Sequence, residues 1–175
     1  MGQGMRVLLD TSALNWLADN PTLAAEFMAA RHAGIINVLV TPEAAKEVRD
    51  TKDAARLSAL EATLAAFFPL APTRVPRLGA FRLGLARVAQ PSDTSRLEAL
   101  SFLHDGQDRN LAANAAGHRC DVFITCDREM SSDKRALVEA RLGRTRVLEP
   151  EQFLDELRQL IAAESGKREE ETADQ

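Results

Sequence analysis

The sequence predicts an α/β fold: a three-layer sandwich with a central, mostly parallel sheet flanked by helices. Three observations predict it. Short apolar runs of strand length at 6–9, 36–40, 121–125 and 146–148 alternate with longer stretches whose apolar residues recur at helical spacing. Proline, glycine and small polar residues punctuate the joins, as they do where helices start and stop. Acidic residues close or follow the runs: Asp10 after Val7-Leu8-Leu9, Glu47 beyond Val38-Leu39-Val40, and Asp127 after Val122-Phe123-Ile124. Asp108 opens the helical run Leu111-Ala112-Ala113. In an open parallel sheet such junctions gather at the carboxyl edge, where ligands bind.

The elements follow in order. After the first strand, 11–18 reads as a short helix with Leu14 and Leu17 on one face. Asn20-Pro21 is an N-cap followed by proline at the first helical position, and the helix it opens passes Leu23 and Phe27 to end at Gly34. After the second strand, Thr41-Pro42 repeats that signal. One long helix is expected to follow, with Leu57, Leu60, Leu64 and Phe67 at helical spacing. Pro69, Pro72 and Pro76 break the chain into a linker, and Phe81, Leu85 and Val88 mark a short helix. Pro91-Ser92-Asp93 ends it and caps another that carries Leu97, Leu100 and Leu103.

Asp105-Gly106-Gln107 reads as a turn, and Asp108 starts an alanine-rich helix stopped at Gly117. Its small side chains suit close packing on a sheet. Beyond the third strand, Ser131 or Ser132 caps a helix through Leu137, Val138 and Leu142 that Gly143 stops. Pro150 starts the last helix, with Phe153, Leu154, Leu157, Leu160 and Ile161 facing inward. The domain reading is therefore 1–163, with a helical insertion around 69–100, followed by an acidic tail at 164–175 with almost no apolar content that is expected to be disordered. The chain has no internal repeat.

With 175 residues and an apolar fraction of 45%, one domain with a real core is expected. No apolar stretch approaches the roughly 20 residues that span a bilayer. The run before Asp10 is too short for a signal peptide. Cys120 and Cys126 fit neither a disulfide framework nor a zinc knuckle. Two buried small hydrophobes in a reducing cytoplasm is the default reading. The net charge of -4 is uneven: the tail holds five acids and two bases, so it carries -3 and the body -1. Arg74, Arg77, Arg82, Arg87 and Arg96 face one acid, Asp93, over 23 residues. A locally basic stretch beside an acidic site suits a phosphodiester substrate, although a solvated helix face would look the same.

Four carboxylates at one edge repel each other at neutral pH and need a cation to coexist. Paired divalent ions roughly 3.5–4 Å apart are a common device for phosphoryl transfer. Hard cations such as Mg²⁺ prefer oxygen ligands, which carboxylates from separate segments provide. Each acid alone has a plainer reading. Asp10, Asp108 and Asp127 could be helix caps, and Glu47 a solvated helix residue. All four at one edge is the informative pattern.

These segments resemble a known family. Val7-Leu8-Leu9-Asp10-Thr11-Ser12-Ala13-Leu14 looks like the opening strand and first acid of PIN domains. Pro42-Glu43-Ala44-Ala45-Lys46-Glu47-Val48 looks like their second acidic motif, and Asp108-Arg109-Asn110-Leu111-Ala112-Ala113 is similar to the third. Phe123-Ile124-Thr125-Cys126-Asp127 is similar to the fourth, with a threonine two before the aspartate, and Val147-Leu148-Glu149-Pro150 resembles the closing strand and helix.

The resemblance covers about residues 5 to 160. It implies a Mg²⁺- or Mn²⁺-dependent ribonuclease with Asp10, Glu47, Asp108 and Asp127 as catalytic metal ligands. Thr11, Ser12, Thr125 and Asp105 would orient acids or waters, and Arg74, Arg77, Arg82, Arg87 and Arg109 would hold RNA. It also implies the toxin subunit of a VapBC-type pair, a homodimer inhibited by an antitoxin. The chain departs from the compact toxins by the extra length near 69–100. Glu43 competes with Glu47, and Asp105 with Asp108; the Leu-Ala-Ala after Asp108 favours the latter.

Other readings fit less well. A receiver domain would need an early acid pair, and a haloacid-dehalogenase-type phosphatase an aspartate where Ser12 stands. Gly79 and Gly84 have phosphate-loop spacing, but Leu85-Ala86 replaces the lysine and hydroxyl. The alternative from another class is a catalytically weak PIN-like RNA-binding or assembly module. A structure-specific DNA nuclease is a further rival. No tyrosine and a single tryptophan, Trp16, read as core, make base stacking a poor basis for recognition.

Overall fold

The computed structural model of the chain describes residues 4–67 and 91–173. Four strands, β1 (Met5–Leu9), β2 (Ile36–Val40), β3 (Val122–Ile124) and β4 (Arg146–Leu148), form one sheet in the order β2-β1-β3-β4, and every pairing is parallel. Parallel strands need long crossovers, and helices supply them. Between β1 and β2 run α1 (Thr11–Asp19) and α2 (Pro21–His32). The connection from β2 to β3 contains α3 (Pro42–Arg49), α4 (Ala54–Ala65), α5 (Pro91–Ala99) and α6 (Gly106–Gly117). A π-helical turn, Glu129–Asp133, and α7 (Arg135–Leu142) lead to β4, and α8 (Pro150–Ala173) follows. α1 packs against α2, α3 and α4, and α6 against α5 and α7, giving the helical layers of a three-layer sandwich.

The register places the site. Leu9 pairs with both Val40 and Ile124, and Ile124 with Leu148, so all four strands end level. From β1 the chain moves to one side to make β2, then crosses to the other side to make β3. The switch point lies between β1 and β3, where the connections leave to opposite faces and open a crevice. Asp10 follows one of those strands, and Asp127 comes three residues after the other.

Strand residues Val7, Leu8, Leu9, Val122, Phe123 and Ile124 are wholly buried, as expected of strands covered on both faces. Phe27 of α2 meets Phe67 edge-on at 6.2 Å and Phe153 of α8 at 5.4 Å. Each such ring contributes about 2–3 kcal/mol by burial. Ala112, Ala113 and Ala115 are buried in α6, where small side chains allow close approach. Gly34 and Gly143 follow the ends of α2 and α7 with φ of 73° and 75°, a conformation that a side chain would oppose. Among the described residues, no helix is long and apolar enough to cross a membrane.

Several elements differ from the sequence reading. The long helix after Thr41 is two helices. Asp50 closes α3, and the Asp53 carboxylate accepts the Arg56 N–H at 2.7 Å to begin α4. Asp and Thr favour such local hydrogen bonds over a continuing helix. Arg56 then binds Asp19 and the Asn15 carboxamide, tying α4 to α1. Asp105-Gly106-Gln107 is no free turn: Asp105 is the N-cap of α6, accepting the Gln107 N–H at 2.5 Å, and Asp108 lies within the first turn.

Neither Ser131 nor Ser132 caps α7. The Ser131 hydroxyl donates to Glu149 at 3.0 Å, and the π-helical turn delivers the chain to α7 through Lys134. Leu160 and Ile161, expected inward, are exposed, because α8 outruns the core beyond Leu157. The helical backbone of α8 runs on to Ala173, into the stretch expected to be an acidic tail. The short helix predicted around Phe81–Val88, the Pro69–Pro76 linker and Arg74, Arg77, Arg82 and Arg87 lie outside the described residues.

Candidate metal centre

Asp10 stands immediately after β1 in an extended conformation and caps α1, accepting the Ala13 N–H at 2.6 Å. The Ser12 hydroxyl lies 2.8 Å from both of its oxygens, and the Thr125 hydroxyl donates to Oδ2 at 2.5 Å. Only 3% of the residue is exposed. Burial pushes its carboxyl up to about 6, against the pull of Thr125, Ala13 and Ser12, and Asp127 adds repulsion. A side chain so fully bonded has one position.

Thr125 couples the two strand ends. Its hydroxyl donates to Asp10 and accepts the Asp127 N–H at 3.0 Å. The Ser12 hydroxyl likewise accepts the Cys126 N–H at 2.8 Å. Asp127 begins the next turn: its Oδ1 accepts the Met130 N–H at 3.2 Å, and its carbonyl accepts the Ser131 N–H. The capping role read for Asp127 from sequence and a place in the acidic site are therefore held together.

α6 carries Asp108 to the same place. One carboxylate oxygen each from Asp108, Asp127 and Glu129 lies within 4.8 Å of the others, and all three residues are partly buried. The Asp108 carboxyl is pushed up to about 7, first by burial, then by the charges of Asp127, Asp105, Asp10 and Glu129. Asp10 and Asp108 thus share a field, although Asp10 is not one of the three grouped acids.

Glu129 was not singled out in the sequence. It stands two residues after Asp127, a spacing that puts residues on opposite sides of an ordinary helix. Asp127 lies ahead of the turn rather than within it, so helical spacing does not govern how the two side chains stand to one another. The signal was an acid two positions beyond the Thr125–Asp127 pair. Glu129 is held by Lys134 and by His104, whose Nδ1 lies 2.7 Å from Oε1, and those contacts bring its carboxyl down to about 2.

Glu47 takes a different place. From α3 it accepts a short hydrogen bond from the Thr11 hydroxyl, one residue past Asp10, and it stands outside the group of three. Thr11 therefore orients Glu47, while Ser12 and Thr125 orient Asp10. Asp105 is exposed as a helix cap and acts on Asp108 through its charge alone. Arg109 turns its guanidinium back onto the Asp105 carbonyl at 3.3 Å.

The donor chemistry suits a hard cation. The grouped atoms are carboxylate oxygens, and the nearby Cys126 thiol is pushed up to about 11, first by burial and then by Asp10, so it stays protonated. The chain matches no family model, no curated protein and no solved structure in comparisons with known proteins.

Proposed function

We propose that this chain is a PIN-like, divalent-metal-dependent ribonuclease that hydrolyses RNA phosphodiester bonds. The observation that carries this reading is the grouping of Asp108, Asp127 and Glu129 within 4.8 Å, beside Asp10, at the switch point of a parallel sheet. The four motifs that resemble PIN domains support it, since three of their acids, Asp10, Asp108 and Asp127, share one electrostatic field.

In this reading Asp108, Asp127 and Glu129 would hold Mg²⁺ or Mn²⁺, and Asp10 would add its charge to the same field. The metal supplies a water of lowered pKa and stabilises charge developing on the phosphodiester. The chain's own residues arrange the rest. Thr125 and Ser12 hold Asp10 in one orientation, and the Asp127 N–H is held on Thr125, so the two strand ends keep their spacing. Glu47, set by Thr11, would orient a water. Arg109 and the basic stretch from Arg74 to Arg87 would hold flanking phosphates without reading bases. The family resemblance also suggests a cytoplasmic toxin role, dimeric and restrained by an antitoxin, which co-purification with the product of a neighbouring gene would test.

The deciding experiment is cleavage of a mixed pool of RNA and single-stranded DNA in Mg²⁺, Mn²⁺ or EDTA, with wild type and Asp108→Asn. Metal-dependent RNA cleavage that the substitution removes is expected. RNA binding that survives EDTA without any cleavage would replace this reading with that of a non-catalytic RNA-binding module.

A further inference from the structure

A lysine already sits on the acidic group. Lys134, the residue between the π-helical turn and α7, places its ammonium on Glu129 Oε1. It also donates to the Phe102 carbonyl at 2.8 Å and lies 5.8 Å from the centre of the Phe102 ring. The lysine is therefore held between Glu129 and Phe102, and only 27% of its side chain is exposed. Glu129 is as closely held, at 22%. Among the described residues, every hydrogen bond to the Glu129 carboxylate goes to Oε1.

Resting on the metal reading above, we propose that Lys134 is a resident counter-cation that competes with the divalent ion for Glu129 and keeps metal binding weak and exchangeable. The charge arithmetic supports this. Asp10, Asp127 and Glu129 all act on Asp108, and Lys134 contacts Glu129 through an ion pair. A positive charge on one carboxylate of a three-carboxylate group lowers the group's attraction for a second cation, and more so where water is partly excluded. Lys134 is thus a positioning residue: it sets where Glu129 sits and how much negative charge the group offers.

The direction of the effect separates this from simple scaffolding. A residue that merely orients a ligand weakens metal binding when removed, commonly by about 10- to 100-fold. A competing cation strengthens it. The test is titration of the full chain with Mn²⁺ alone, followed by calorimetry, for wild type, Lys134→Met, Lys134→Gln and Lys134→Arg. Lys134→Gln keeps a donor for Phe102 and removes the charge, so it stands in if Lys134→Met does not fold.

Mn²⁺ binding about tenfold tighter in the neutral variants, with Lys134→Arg close to wild type, is the expected result. Equal or weaker binding in the neutral variants overturns the proposal and leaves the metal reading intact. Binding by the neutral variants alone supports it in the strongest form. No Mn²⁺ binding by any of the four proteins overturns both.

Discussion

The two ends of the sheet hold their carboxylates differently. At the amino end Asp121, just before β3, accepts the Arg6 N–H at 2.8 Å and an ion pair from Arg144. Burial pushes its carboxyl up, but those two partners hold it below the usual carboxylate range. At the carboxyl end Asp10 is deeper and better hydrogen-bonded, yet its carboxyl rises to about 6, and that of Asp108 to about 7. Hydroxyls and amides orient a carboxylate without cancelling its charge, and the charges that raise the Asp108 carboxyl are those of other carboxylates. One end is built as structure. The other carries charge that the fold itself leaves largely uncompensated, as ligand sites do.

The sharpest way to break this contrast is to neutralise one acid at each end. Asp10→Asn and Asp108→Asn should each lower metal-dependent RNA cleavage by at least ~100-fold, while Asp121→Asn leaves it within about twofold. Initial rates in saturating Mg²⁺ decide it, and equal losses at both ends would dissolve the distinction. Stability should move the opposite way. Asp121→Asn costs about 1 kcal/mol, the scale of an exposed ion pair with one backbone bond, whereas the two site variants unfold in EDTA at the same or higher denaturant.

The pH dependence of the metal-free protein gives the next largest effect. A carboxyl whose folded pKa is raised binds more protons folded than unfolded between the two values, so stability falls as pH rises through that window. For Asp10 the window runs from 3.8 to about 6, and for Asp108 from 3.8 to about 7. Asp10 alone is then worth up to about 3 kcal/mol. Glu129 and Asp121 run the other way, but their windows lie below the ordinary carboxylate range. Urea unfolding in EDTA should therefore shift to lower denaturant between pH 4.5 and pH 7.5, and Asp108→Asn should shrink that shift. A flat profile would show that the carboxyl end is as well compensated as the amino end.

Thr125→Val probes the join between the strand ends. It removes the hydroxyl shared by Asp10 and the Asp127 N–H and should cost about 1–2 kcal/mol, read by the same unfolding experiment. The smallest effect belongs to the amino end. Arg119 follows α6 with a φ of 55°, a left-handed conformation that glycine adopts without penalty. Arg119→Gly should raise stability by about 0.5–1 kcal/mol and leave cleavage unchanged, as measured by thermal unfolding.

Much of this was legible in the residues. The spans of β2 and β4, the proline starts of α2 and α3, the cap at Thr41 and the buried faces of α1 and α6 follow from local rules of period, capping and breaking. Asp10 and Asp127 could be placed because each follows an apolar run, and a parallel sheet brings such positions to one edge. Ser12 and Thr125 were expected to orient acids because the motifs that hold them resemble those of PIN domains. Asp53 was a cap hidden inside a helical pattern: the spacing of Leu57, Leu60 and Leu64 continues past a break that periodicity does not register.

What tertiary structure alone decided is everything that depends on strand order and on contacts between distant segments. Period and capping are properties of neighbours in the chain, and they placed the strands and the proline-led helix starts. They do not say that β3 pairs with β1, which puts Thr125 against Asp10 across 115 residues. Nor do they say that Glu47 meets Thr11 or that Glu129 groups with Asp108 and Asp127. The seat of Lys134 on Glu129 and the Phe102 carbonyl likewise depends on packing between elements far apart in sequence. The chemistry of each acid was written locally; its neighbours, and so its charge balance, were set by the fold.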